Sequence, residues 1–174
     1  MIPDQLNLGP ITATLVVGAG GEHVGPEGTS KSLGGQLDFD WFVAVRGRAK
    51  VILTSGKTYL DEGYRLPTNA ELAVFSRNLR ESDLAPEVIL ISDGQANTFG
   101  KAVEHLLSLG FDKIHCEFGP TGFLGLAPEP MVEAYLSSDT RSGIEIFSER
   151  HGVEFELVSD NGLFIARIGS VAVH

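Results

Sequence analysis

Short apolar runs rich in β-branched residues recur along this chain and alternate with segments of helical spacing. That alternation narrows the folds open to it more than any other feature. Residues 11–17 (ITATLVV), 51–55 (VILTS), 72–76 (LAVFS), 88–92 (VILIS) and 112–118 (DKIHCEF) read as strands, several of them apolar on both faces. Between them, residues 36–48 place Leu37, Trp41, Phe42 and Val45 on one broad helical face, and residues 98–110 do the same with Ala102, Val103, Leu106 and Leu107. Strands apolar on both faces, linked by helices, predict a mostly parallel sheet covered on both sides, a three-layer α/β domain. Residues 131–138, 153–159 and 163–169 are further strands, and Asp160-Asn161-Gly162 between the last two is a strong hairpin signal. The sheet should therefore end in an antiparallel hairpin at one edge. The 174 residues suffice for one such domain, 1–174, with no internal repeat or linker.

Composition excludes several function classes. A formal net charge of −10 repels nucleic acid unless basic residues cluster, and they do not. The same field opposes an anionic ligand, so a phosphate site must rest on local donors. No apolar run reaches the length of a membrane span. The opening residues MIPDQLNLGP lack the basic and apolar regions of a signal peptide, and a lone cysteine, Cys116, cannot form an internal disulfide. A cytoplasmic protein is the expectation. The five histidines have no ligand spacing, and no metal is expected.

Four stretches could carry chemistry. The glycines of VVGAGGEHVG follow a strand, but Gly25, Pro26 and Gly28 prevent the helix that a dinucleotide fingerprint requires. Residues 18–35 read as a long loop, a candidate lid. In SGKTYLDEG (55–63) a strand ends and a short helix opens. Gly56 permits close approach of a ligand, and Thr58 is able to cap the helix or donate to a phosphate. A P-loop is excluded because the first glycine of its pattern is missing before Gly56-Lys57. In VFSRN, Ser76 and Arg77 lie just past a strand, where ligands of open parallel sheets bind. In HCEFGPTGFL (115–124) a strand gives way to a helix start at Gly119, with Pro120 in the first turn and Thr121 beside the free amides. SGKTYLDEG also reads as a capped turn, VFSRN as a solvated loop arginine and HCEFGPTGFL as a turn alone; the common position of these three at strand ends is what argues for one extended nucleotide ligand.

These segments together resemble the reductase domain of riboflavin biosynthesis, which shares its fold with dihydrofolate reductase. VRGRAKVILTSGKT (45–58) matches the family's LRAxxDAILTSxxT without a gap, with Arg46 and Thr58 at its arginine and threonine. GTS (28–30) stands at its G-x-S, and EFGPTGF (117–123) at its E-G-G-P-T-L. The resemblance spans nearly the whole chain. It implies an NADPH-dependent reductase that transfers hydride to a pyrimidine bearing a ribosyl group, or to a related small molecule. Thr54, Ser55, Gly56 and Thr58 would line the cofactor phosphates, Ser76 and Arg77 would meet the 2′-phosphate, and Glu117, Phe118, Gly119, Pro120 and Thr121 would wrap the pyrophosphate and nicotinamide side. Gly20, Ser30 and Arg65 would face the substrate, Arg65 at its phosphate. No flavin is implied. The chain departs from the pattern at Gly20, where the family has an aspartate, and at Phe118, where it has a second glycine. Glu22, Asp38 and Asp40 are the carboxylates that could stand in for the aspartate. The alternative is a non-catalytic nucleotide-binding or homodimeric interaction protein of the same fold.

Overall fold

The computed structural model describes residues 6–169, so the first five residues of the opening segment lie outside it. Eight strands form one sheet: β1 (Ile11–Val16), β2 (Val51–Ser55), β3 (Glu71–Phe75), β4 (Ile89–Ile91), β5 (Ile114–Glu117), β6 (Glu133–Ser138), β7 (Phe155–Asp160) and β8 (Phe164–Ile168). Their order is β4-β3-β2-β5-β1-β6-β8-β7. The first six are parallel, whereas β8 runs antiparallel to both β6 and β7. The expected hairpin thus closes one edge through residues 161–163.

Five helices cover the sheet: α1 (Gln36–Arg46), α2 (Gly56–Glu62), α3 (Phe99–Ser108), α4 (Pro120–Leu126) and α5 (Arg141–His151). Side chains alternate across a strand, and the core divides accordingly. Ile11, Ala13, Leu15, Val51, Leu53, Ile114 and Cys116 point to one face, where they meet Ala102 and Leu106 of α3, Phe123 and Leu126 of α4, and Ile144 and Phe147 of α5. On the other face, Trp41 and Val45 of α1 pack with Tyr135 and Ile165, and Ile52 and Leu72 form a separate cluster beside Tyr59 of α2. The face presented by α1 is not centred on Leu37, which is half-exposed; Asp38, Trp41 and Val45 are its buried positions.

The sequence reading contains no α5. Its eleven residues are mostly polar, and only Ile144 and Phe147 are buried apolar side chains. Their burial, about 1.5–3 kcal/mol each, holds the helix against the sheet. Thr140 caps it, accepting from the Gly143 amide at 3.2 Å, and Gly152 ends it in the left-handed conformation. Gly143 sits under the loop that leaves β1: a Cβ there would strike the Gly18 carbonyl oxygen and the Ser138 hydroxyl. Gly143→Ala is therefore expected to cost about 1–3 kcal/mol in urea denaturation, since the obstacle is backbone. A change within 0.5 kcal/mol of zero, the range of ordinary surface substitutions, would show that the loop yields freely.

Candidate functional site

The predicted cofactor-side segments, Thr54–Thr58, Ser76–Arg77 and Glu117–Thr121, lie at the carboxyl ends of three adjacent strands, β2, β3 and β5. At the end of β2, the Ser55 hydroxyl caps α2 by accepting from the Thr58 amide at 3.1 Å, and donates to Thr58 Oγ1 at 3.0 Å. Gly56 is buried against Ser76, whose Oγ would stand 2.6 Å from a Cβ at that position. Only glycine lets β2 and β3 deliver their turns so close together. Ser76 Oγ accepts from the Asn78 and Leu79 amides at 3.2 Å each, and the exposed Arg77 donates to the Asn97 carbonyl at 3.2 Å. Thr54 is fully buried and ties β2 to β5, donating to the Glu117 carbonyl at 2.7 Å.

At the end of β5, Phe118 stands where the sequence resemblance implies a glycine. Phe118 is 5% exposed: its ring turns into the core and packs edge-on against Phe99 at 4.9 Å. The rim above is left to Gly119, where an added Cβ would meet nothing within 4 Å. Gly119 opens α4 without a side-chain cap, with Pro120 in the first turn and Thr121 exposed. First-turn amides of this kind are donors without an intrahelical partner.

Residues 18–35 carry no helix or strand and bridge the rim. On one side the Gly20 and Gly21 carbonyls accept from Arg150 of α5 at 3.0 and 3.3 Å. On the other, the Ser30 amide and hydroxyl donate to Glu62 at the end of α2, at 3.1 and 3.2 Å. A cleft of about 590 Å³ lies between this loop and the start of α5, lined among others by Glu22, Val24, Leu33, Asp139 and Thr140. Of the stand-in carboxylates, Glu22 lies against Gly18 and Gly20 in this cleft. Asp38 is buried under α1, where it accepts from the Ser137 hydroxyl; burial pushes its carboxyl up. Asp40 accepts from Gln36 at 2.8 Å on the surface. Arg65 is exposed on the segment after α2.

Sequence reasoning missed a polar seam on the α1/α2 face, between the two smaller core clusters. His115 is 1% exposed, with Nδ1 2.9 Å from the Thr12 hydroxyl and Nε2 3.3 Å from that of Thr14. Burial lowers its pKa to about 3, aided by the Arg46 guanidinium, so the ring is neutral. Glu117 Oε1 lies 3.5 Å from His115 Nε2 and 3.1 Å from Arg46 Nε, and Tyr64 donates its hydroxyl to Oε2. Burial raises the Glu117 pKa to about 6 against the opposing pull of Arg46 and Tyr64. The Glu117 side chain thus faces α1 and α2, away from the α4 amides. The signal was present in the alternation: Thr12 and Thr14, like His115 and Glu117, are polar at every second position of their strands. Cys116 points the other way into the core, and burial pushes its thiol far up, as an inert thiol requires.

Among the described residues no helix is long and apolar enough to cross a membrane. No protein-family model and no curated protein matches the chain. Solved structures do. A pyrimidine reductase-like protein of Corynebacterium diphtheriae aligns over 92% of this chain and 91% of its own, with TM-score 0.63 and 18% identity. A diaminohydroxyphosphoribosylaminopyrimidine deaminase/5-amino-6-(5-phosphoribosylamino)uracil reductase of Thermotoga maritima matches with the same score and identity; the alignment covers 92% of this chain and 56% of that one. A riboflavin biosynthesis protein of Shewanella sp. PV-4, so described provisionally, gives TM-score 0.60 at 13% identity over 92% of this chain and 98% of its own. At such identities the likeness establishes architecture: the parallel sheet, the rim and the antiparallel edge are those of the pyrimidine reductase-like fold, and this chain is a divergent bearer of it.

Proposed function

We propose that the chain is an NADPH-dependent reductase of a pyrimidine or related small molecule. The observation that carries this reading is the gathering of Ser55–Thr58, Ser76–Arg77 and Gly119–Thr121 at the ends of three neighbouring strands. Adjacent strands stand about 4.8 Å apart, so these groups span roughly 10 Å, which suits an extended dinucleotide rather than one phosphate. The residues fit the cofactor on two further counts. The Phe118 ring leaves the rim clear, and Gly119 admits a ligand against its backbone. In this reading Thr58 and the amides that open α2 hold phosphate oxygens, the first turn of α4 takes the pyrophosphate, and Arg77 pairs with the 2′-phosphate. NADPH supplies the hydride; the chain supplies position and local positive potential against its own net charge.

The test is cofactor discrimination. An Arg–phosphate pair is worth about 1.5–3 kcal/mol, so Arg77→Ala should weaken NADPH binding roughly ten- to a hundredfold and leave NADH nearly unchanged. Equal losses for both would remove Arg77 from the 2′-phosphate. A second reading, a non-catalytic binding protein of this fold, is favoured by Gly20, which offers no carboxylate to a substrate. A fluorescence titration tests the first reading. Failure of both cofactors to bind at millimolar concentration would leave only the second.

A further inference from the structure

The loop that leaves β1 bounds the cleft of about 590 Å³ beside α5, which is large enough to enclose a small organic molecule. The loop is fastened at both ends, by Arg150 on the Gly20 and Gly21 carbonyls and by Ser30 on Glu62. It is braced within, where Ser32 donates to Glu27 at 2.8 Å. The cleft is thus built before any ligand arrives. Its apolar lining comes chiefly from Val24, Pro26 and Leu33, and its charged lining, among the described residues, from Glu22 and Asp139 alone.

Both carboxylates are left without a counter-charge: neither has an ion pair among the described residues. Asp139 Oδ1 accepts from the Gly35 amide at 3.5 Å. Glu22 folds back because the turn before it is glycine. A Cβ at Gly18 would strike its carboxylate, and one at Gly20 would lie 2.9 Å from Oε2. The guanidiniums of α5 are engaged, Arg141 with Glu145 at 2.8 Å and Arg150 with the loop carbonyls. Helix α5 starts at the cleft, but a helix N-terminus carries only about half a positive charge. Against it stand Glu22, Asp139 and a chain of net charge −10. Burial and, more weakly, the Asp139 charge also push the neighbouring Asp38 carboxyl up against the Ser137 hydroxyl. An anionic ligand, a phosphate above all, is repelled here, whereas a cation is drawn in. A metal ion does not suit the cleft, since among the described residues no three His, Cys, Asp or Glu side chains gather as ligands.

We propose that this cleft binds a small organic cation, an amine or amidine on a flat apolar body that carries no phosphate. The body lies against Val24 and Leu33, and the charged nitrogens pair with Glu22 and Asp139. Apolar contact supplies attraction but does not tell a cation from a neutral molecule of the same shape. The carboxylates make that distinction, through charge-assisted hydrogen bonds. The strand order β5-β1-β6 sets the cleft beside the first turn of α4, on the side of the rim away from β2 and β3. That the cation is the substrate rests on the reductase reading, which the inference deepens by naming the substrate class as an unphosphorylated base.

The probe is benzamidine, titrated into the isotopically labelled full chain and followed by NMR. Binding should be on the order of millimolar, as suits so small a molecule, with shifts centred on residues 18–33 and 138–140. Benzamide has the same shape without the charge and should bind about tenfold more weakly, and phenyl phosphate should not saturate. Glu22→Gln and Asp139→Asn should each weaken benzamidine about tenfold and leave benzamide unchanged. Both positions are exposed, so the fold is retained. Glu71→Gln, at the amino end of β3, controls for the general pull of an acidic chain and should change nothing. Equal affinity for benzamidine and benzamide, tighter binding of phenyl phosphate, or an equal loss in Glu71→Gln overturns the site, and so does failure of benzamidine to bind. NADPH is titrated in parallel. NADPH binding without the benzamidine response sinks this inference and leaves the reductase reading standing. The benzamidine response without cofactor binding keeps the cation site and removes the reductase reading.

Discussion

Phe118→Gly is expected to lower the unfolding free energy by about 3–5 kcal/mol, the range for emptying a buried aromatic site. The ring is 5% exposed, packs on Phe99 and closes over Gly122, where its Cβ would lie 2.6 Å from an added methyl. Urea denaturation reads the loss. The same variant tests the rim, because the Phe118 side chain turns away from it. Per folded molecule, the affinity for NADPH should therefore match that of the wild type. Binding that appears only in Phe118→Gly would mean that the ring blocks the site, and would overturn its inward placement. Phe118→Leu, which keeps most of the volume, serves as the control for folding.

The second large effect is on the pH dependence of stability. His115 is held down to about 3 in the folded chain, below the ordinary histidine value of 6.5. The folded state therefore binds its proton more weakly than the unfolded state. Stability is lost as pH falls from 6.5 towards 3, on the order of 5 kcal/mol at 1.36 kcal/mol per pKa unit. Glu117 acts with the opposite sign. Its pKa is raised from 4.5 to about 6, so the folded state holds the proton more tightly, and about 2 kcal/mol is lost as pH rises through that interval. Asp38, also raised by burial, adds to the second trend. The two slopes oppose each other between pH 4.5 and 6. Urea midpoints should rise steeply from pH 3 to 4.5 and then level off. In His115→Asn the steep limb should disappear, and stability should decline from pH 4.5 to 6. A wild-type curve that keeps climbing through that interval would show that Glu117 titrates as an ordinary carboxylate.

Much of this molecule is local in origin and so legible in its residues. Apolar runs of four to six residues specify strands because only a pleated segment buries both of its faces. Helix starts at Ser55 and Thr98 are written as side chains able to accept the amide three residues on, and both do so, at 3.1 Å each. The Asn161-Gly162 step turns the chain back on itself. Helix α5 escaped because two buried apolar residues in eleven make a weak periodic signal, and the sheet supplies the rest of its stability. The strand ends with their Ser-Gly-Lys-Thr, Ser-Arg and Gly-Pro-Thr segments were legible for the same local reason, as caps and turns. What the residues alone could not specify is who meets whom. Alternation says that His115 and Glu117 share one face of their strand, but only the insertion of β5 between β1 and β2 brings that face to Thr12, Thr14 and Thr54. Arg46 and Tyr64 then close over it from α1 and from the turn after α2. The inward turn of Phe118 is decided in the same way, by the space that Phe99 and Gly122 leave open. Propensity and capping act within a few residues, whereas these contacts join positions up to a hundred apart, and strand order and packing settle them together.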